Sequence, residues 1–287
     1  MDSVSINSYA KINLGLDVTG IREDGYHNVK MVMQTISLCD SLVFKKIKVP
    51  KIILKTNLPY LPVNSNNIVY AAIQSYMDEY GIDCGVMATI NKRIPVAAGM
   101  AGGSGNAAAT LIAMDRLFGY KTDMTRMMEI GLKLGADVPY CIMGGTALAE
   151  GIGEKLTRLP APPKAKILIV KPGINVSTKS VYTALDSKEN LTHPDIDGIV
   201  SAMEKNDLNG MCGLLGNVLE EVTAELYPEI KSIKESMLAQ GAAGALMSGS
   251  GPTVFGLFED KETAEKAYYS FKNGKYSSSS FLCDYVN

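Results

Sequence analysis

Residues 11–19 read KINLGLDVT, with Ile12, Leu14, Leu16 and Val18 alternating against Lys11, Asn13, Gly15, Asp17 and Thr19. A period of two predicts a β-strand with one apolar face. Lys11, Asn13 and Asp17 then share the opposite face, with Gly15 leaving room between them. Apolar runs at 32–38, 42–49, 52–55 and 86–91 predict further strands, so the chain opens as a β-rich layer.

The period then becomes helical. Asn66 or Asn67 caps a segment carrying Ile68, Val69, Ala72, Ile73, Tyr76 and Tyr80, ended by Gly81. Ser104 caps a second helix with Ala107, Ala108, Leu111, Ile112, Met114 and Leu117 inside and Gly119 at its end. Asp123 starts a third, through Met127 and Leu134 to a stop at Gly135. Pro160, Pro162 and Pro163 punctuate the middle of the chain. Beyond them come a strand at 165–171, helical stretches between 178 and 240, a strand at 253–258, a helix at 261–271 and a last strand. Strands and helices mixed this way predict an α+β second domain.

The 287 residues suffice for about two domains. A net charge of −2 argues against a general nucleic-acid binder. No apolar run reaches the ~18 residues of a membrane span, and no basic stretch leads into an apolar one at the start. Five scattered cysteines and two histidines point to a reducing compartment and give no histidine-rich metal site. The expectation is a cytoplasmic enzyme that works without a membrane or nucleic-acid partner.

Chemistry concentrates in three blocks. Residues 95–110 read PVAAGMAGGSGNAAAT, a glycine-rich loop between a strand and a helix. Such a loop brings backbone N–H groups and a helix N-terminus to an anion, which suits a polyphosphate. A ligand-free turn is the plain alternative. Neither the G-x-x-x-x-G-K-[ST] loop nor the dinucleotide fingerprint fits. The second block, GADVP at 135–139, puts Asp137 between a helix end and an apolar strand. The third, SGSGP at 248–252, is a hairpin turn or a ligand loop that leads into a strand.

With AKINL at 10–14, DGYH at 24–27, NIVY at 67–70, KRIP at 92–95 and AEG at 149–151, these blocks resemble the GHMP kinase superfamily of galactokinase and the homoserine, mevalonate and phosphomevalonate kinases. AKINL followed by DGYH resembles in particular the branch that phosphorylates CDP-methylerythritol on the non-mevalonate route to isoprenoids. The loop departs from the family's GLxGGSS: Met100 replaces Leu and Gly105 replaces the second Ser.

The resemblance implies an α+β, two-domain GHMP kinase fold. A β-rich N-terminal domain (1–159) with a left-handed β-α-β-like phosphate-loop unit would serve ATP and catalysis. A ferredoxin-like C-terminal domain (160–287) would serve the substrate. Lys11 and Asp137 would be catalytic. ATP would lie against Pro95, Val96, Ala97, Ala98, Gly99, Met100, Ala101, Gly102, Gly103, Ser104, Gly105 and Asn106, with Asn67 and Lys92 near the adenosine. Asn13, Tyr26, His27, Tyr182, Gly249, Ser250 and Gly251 would meet the substrate, Tyr26 and Tyr182 stacking on cytosine and His27 reading its edge. Mg2+ would arrive with ATP and touch Ser104 rather than sit in a dedicated protein cage. The chain would be a monomer or homodimer. Alternatives are another small-molecule GHMP kinase, of the homoserine or mevalonate type, or a non-catalytic sensor on the same fold. His193 has no assigned role and reads as a surface residue.

Overall fold

The alternation that opens the chain folds as a 19-residue strand, β1 (Ser3–Ile21), followed by a 21-residue strand, β2 (His27–Ile47). In the computed structural model, which describes residues 2–287, the polar face of β1 is not solvated. Residues 10–18 are buried on both faces. The period of two identifies the strand, but Lys11, Asn13 and Asp17 point into the interior.

The runs at 32–38 and 42–49, expected as separate strands, are continuous in β2. What breaks the hydrophobic pattern is Asp40, a carboxylate with 0% exposure. It accepts from Lys92 Nζ, from Asn106 Nδ2 at 2.8 Å, and from the backbone N–H groups of Arg93 at 2.7 Å and Ile94 at 2.8 Å. A buried charge satisfied this fully leaves the strand unbroken.

Two compact units interleave along the sequence. The first holds the chain up to Ala10, Leu38–Val96 and Ala101–Met143; the second holds Lys11–Ser37, Ala97–Met100 and Gly144–Asn287. This division differs from a single cut between residues 159 and 160, because β1 and β2 give residues to both units.

In the first unit, β3 (Ile52–Thr56) runs parallel to β4 (Gly85–Asn91), which pairs antiparallel with the end of β2, Ser41 opposite Asn91. Between β3 and β4 lies α1 (Ile68–Tyr80), capped by the Asn67 side chain and closed by Gly81. Then follow α2 (Gly102–Phe118), α3 (Met124–Leu132), which starts on Asp123, and α4 (Val138–Met143). The apolar run after Asp137, expected as a strand, opens with this helix. An apolar run this short has no decisive period, and Pro139 is tolerated in the first helical turn. Leu42, Phe44, Ile73, Tyr76, Val86, Leu111, Met114 and Ile130 share the unit's core.

In the second unit, β5 (Thr146–Gly151) pairs antiparallel with the start of β2 and with β6 (Lys155–Arg158). The chain continues through β7 (Lys166–Val170), α5 (Thr178–Leu185), α6 (Ile196–Glu204) and α7 (Leu208–Leu214). The short β8 (Gly216–Asn217) lies parallel to β1 at Gly15 and Leu16. Next come α8 (Val218–Leu226), α9 (Glu229–Ala239), β9 (Gly244–Met247), β10 (Val254–Phe258), α10 (Lys261–Lys272) and β11 (Ser280–Cys283). Their sheet has the order β11-β7-β10-β9 with every pair antiparallel. Counted within the sheet this is fourth-first-third-second, the ferredoxin-like arrangement.

All five cysteines are free thiols, and burial pushes that of Cys212 up to about 11. Among the described residues no helix is long and apolar enough to cross a membrane.

Removing the Asp40 carboxylate would leave the Lys92 ammonium and two backbone donors without their shared acceptor. Asp40→Ala is expected to lower stability by about 3–5 kcal/mol, the usual loss when one partner of a buried pair is removed. A urea unfolding midpoint equal to wild type would show that Asp40 is not the keystone of this network.

Candidate active site

Helix α2 begins at Gly102, two residues before the expected cap. Ala101 occupies the cap position in a left-handed conformation (φ 52°) with no side-chain cap bond, and Ser104 lies inside the first turn. The first helical bond runs from Gly105 N–H to Ala101 O at 2.7 Å. The N–H groups of Gly102, Gly103 and Ser104 therefore precede the helical ladder, and no acidic residue sits in the first turn. Backbone donors and a helix dipole without a local counter-charge make this end receptive to an anion.

Three glycines here differ in the room a side chain would have. A Cβ at Gly105 would lie 2.9 Å from Ser8 Oγ and 3.0 Å from Tyr9 O, so close packing of α2 on β1 accounts for this departure from the family's serine. At Gly102 a Cβ would meet Ile94 Cγ2 at 3.0 Å and Lys92 Nζ at 3.2 Å. At Gly103 it would meet only Ile68 Cγ2, at 3.9 Å.

Asn106, Lys92 and Asn67 are tied into the fold. Asn106 donates to Ser8 Oγ at 2.9 Å and to Asp40, and accepts from Lys92 Nζ at 3.2 Å. Asn67 accepts from Val69 N–H at 2.9 Å and donates to Pro62 O at 2.7 Å. Asp137 is half-buried and opens α4, its carbonyl accepting from Cys141 N–H at 3.0 Å.

The second unit brings Lys11, Asn13, the middle of the glycine loop and the 248–252 turn together. Lys11 (5% exposed) donates from Nζ to Asn13 Oδ1 at 2.7 Å, and Asn13 Nδ2 faces Met31 Sδ at 3.3 Å. The Lys11 backbone N–H donates to Met100 O at 3.2 Å, tying the strand to the loop. Ala97 is left-handed at φ 50°, a conformation costly without glycine and frequent at functional sites. Gly99, at φ 68°, could not carry a side chain, since its Cβ would lie 2.2 Å from Ser248 O. Ser248 Oγ donates to Gly99 O at 2.9 Å. Residues 248–253 form the hairpin turn between β9 and β10, closed by Ser248 N–H to Thr253 O at 2.9 Å. Ser250 Oγ pairs with Thr178 Oγ1 at 2.8 Å. Asn217 Nδ2, which sequence reasoning missed, braces the turn at Met247 O and Gly249 O, both at 2.8 Å.

A separate group surrounds His27 in the same unit. The turn before it is held by Arg22 and Asp24, and the guanidinium keeps the Asp24 carboxyl below its ordinary range. Asp24 also accepts from Tyr26 N–H at 3.1 Å. Tyr26 is 61% exposed. The His27 ring lies 4.7 Å from the Tyr182 ring at 43°, and its Nε2 is 2.6 Å from Asp186 Oδ1. Asp186 escaped sequence reasoning, although its place four residues after Tyr182 was a usable signal. His193 is partnered: its Nδ1 lies 2.7 Å from Asp17 Oδ1. Among the described residues no three His, Cys, Asp or Glu side chains assemble as a metal cage.

Gly99→Ala is expected to cost at least about 1 kcal/mol, from its left-handed conformation and the overlap with Ser248 O. Gly103→Ala, in a helix with room for a methyl, should keep or raise stability. Thermal unfolding of the two variants side by side checks the contrast; equal losses would contradict it.

The GHMP kinase N-terminal domain family matches residues 67–145, and the GHMP kinase C-terminal family matches 187–277. A 4-diphosphocytidyl-2-C-methyl-D-erythritol kinase of Lachnoclostridium phytofermentans is 54% identical over 282 residues, covering 98% of this chain and 97% of that protein. The enzyme of the same name from Lachnospira eligens is 55% identical, covering 92% of this chain and 91% of its own. A crystal structure of 4-(cytidine 5'-diphospho)-2C-methyl-D-erythritol kinase superposes with a TM-score of 0.83 at 32% identity, covering 99% of this chain and 100% of that one. Homoserine kinase from Cytophaga hutchinsonii shares the fold, with a TM-score of 0.80 at 22% identity and coverage of 100% and 95%. With both domain models matched and relatives matching nearly end to end, the chain belongs to the GHMP kinases, in the family of 4-diphosphocytidyl-2-C-methyl-D-erythritol kinases.

Proposed function

We infer that the protein transfers the γ-phosphoryl group of ATP to the 2-hydroxyl of 4-diphosphocytidyl-2-C-methyl-D-erythritol, a step of the non-mevalonate isoprenoid pathway. The observation that carries this is 54% identity to a kinase of that name over 98% of the chain. Homoserine and mevalonate kinases share the fold, but neither of their substrates has a base to be read by Tyr26 and His27.

In this reading residues 1–159 hold ATP and the reacting groups, and 160–287 complete the substrate site. The triphosphate lies along 95–106, where the N–H groups at the start of α2 receive it. Asn67 and Lys92 stand near the adenosine. The Ser104 hydroxyl, with the ATP phosphates, would hold Mg2+, a cation that retains waters and favours substrate oxygens. The cation neutralises charge on the transferred group when bound.

Asp137 accepts the proton of the attacking hydroxyl. Lys11, held by Asn13, supplies positive charge where charge builds up on the phosphoryl oxygens. The acceptor is a tertiary alcohol, hindered and weakly acidic. Phosphoryl transfer is largely dissociative, so alignment and electrostatics outweigh early deprotonation. Gly249, Ser250 and Gly251 close on the substrate, and Asn13 meets its methylerythritol part. The enzyme works as a monomer or homodimer in the cytoplasm.

ADP release with ATP, Mg2+ and the CDP-linked substrate, against homoserine and mevalonate as controls, tests the activity. Asp137→Asn is expected to bind nucleotide normally and to lose about 10²–10⁴-fold in turnover, the range of a general base. Near-normal turnover in a folded variant would remove Asp137 from the mechanism.

Cytosine and uracil share a stacking face and differ in their polar edge. A UDP-linked analogue is therefore expected to lose about 5- to 150-fold in kcat/KM, for one unpaired polar group at ~1–3 kcal/mol. His27→Ala should narrow the gap, and Tyr26→Ala should weaken both analogues alike. Equal handling of the two by wild type would refute the cytosine reading.

A further inference from the structure

Helix α5 presents Tyr182 and, four residues on at its C-cap, Asp186. That spacing puts them on one helix face, and both reach the same imidazole. The ring of Tyr182 stands 4.7 Å from that of His27, and Asp186 Oδ1 is 2.6 Å from His27 Nε2. Local helix stability does not account for Asp186, because a carboxylate is electrostatically disfavoured at a helix C-terminus.

An ionised carboxylate can only accept a hydrogen bond, so the shared proton belongs to Nε2. In the neutral form of such a ring the lone pair is on Nδ1. An acceptor at Nδ1 matches the amino group of cytosine and opposes the carbonyl that replaces it in uracil. We propose that Asp186 is a specificity-positioning residue: by fixing the Nε2–H tautomer of His27, it makes Nδ1 the acceptor that selects a cytidine over a uridine diphosphate conjugate.

This rests on the reading of His27 as the residue facing the base edge, and two measurements separate the claims. The tautomer is read without substrate, by long-range proton–nitrogen NMR of the His27 ring at neutral pH. Wild type should show protonated Nε2 and unprotonated Nδ1. Asp186→Ala should lose that bias, and Asp186→Glu, which keeps an acceptor-only carboxylate, should restore it.

Steady-state kinetics with CDP- and UDP-linked substrates then reads specificity. Asp186→Ala should raise KM for the CDP compound about tenfold, the order expected for one lost hydrogen bond, and leave kcat within about twofold. The CDP/UDP ratio should shrink, and Asp186→Glu should recover most of it. The proposal is overturned if wild-type His27 carries its proton on Nδ1, or if Asp186→Ala keeps both the tautomer and the CDP/UDP ratio. A wild type with the expected tautomer that treats CDP and UDP substrates equally would refute the base-edge reading, and with it any selecting role for Asp186.

Discussion

Only 5% of Lys11 is exposed, and a buried ammonium costs several kcal/mol unless neighbouring groups satisfy it. That constraint governs the middle of β1. Asn13, two residues along and on the same face, turns its carbonyl oxygen toward the ammonium, and Met31 of the adjacent strand takes the other end of the amide. The residue between them, Ile12, is fully buried on the opposite face. A one-residue slip of β1 would exchange these faces and bury the charge among aliphatic side chains. The lysine thus specifies register. Through its backbone N–H it also fixes Met100 in the glycine loop.

Asp40 plays the corresponding part in the first unit. Its carboxylate gathers the 92–94 segment, Asn106 on α2 and the Lys92 ammonium. The segment entering the glycine loop and the first turns of the helix leaving it are thereby held from one atom group. A loop that binds polyphosphate through backbone donors has no long side chains to adjust, so its donors must be aimed before the ligand arrives. Ala97 and Ala101 are left-handed without being glycine, and fixed surroundings are what allow such strain to persist.

Much of this was legible in the chain. The strand at 11–19 followed from its period, the first helix from Asn67 and Gly81, and the ferredoxin-like half and the GHMP kinase relationship from family motifs. What escaped has a common physical cause: polar side chains whose partners lie far away in sequence. The runs on either side of Asp40 read as two strands, and the polar face of β1 as the one not buried. Ser104 fits a capping pattern, yet the helix begins earlier, where Ala101 adopts a left-handed cap. Residues 138–143 are too few for periodicity to separate helix from strand. Asn217 and the partner of His193 carry no local signature.

The groups assigned to phosphoryl transfer and those assigned to base recognition are held by different means. Lys11 and Asn13 sit in the buried middle of a long strand, where backbone pairing and side-chain packing allow little movement. Tyr26 stands exposed beyond a turn, and Tyr182 lies on an eight-residue helix. Positioning errors of an ångström at a reacting centre cost orders of magnitude, whereas a stacked base tolerates sliding along an aromatic face. Stacking alone cannot tell one pyrimidine from the other, however. In the proposed reading, recognition at the exposed end needs one polar group of fixed direction. His27 suits that role in the proposed reading: it is the first residue of β2, and its Nε2 lies against Asp186 Oδ1.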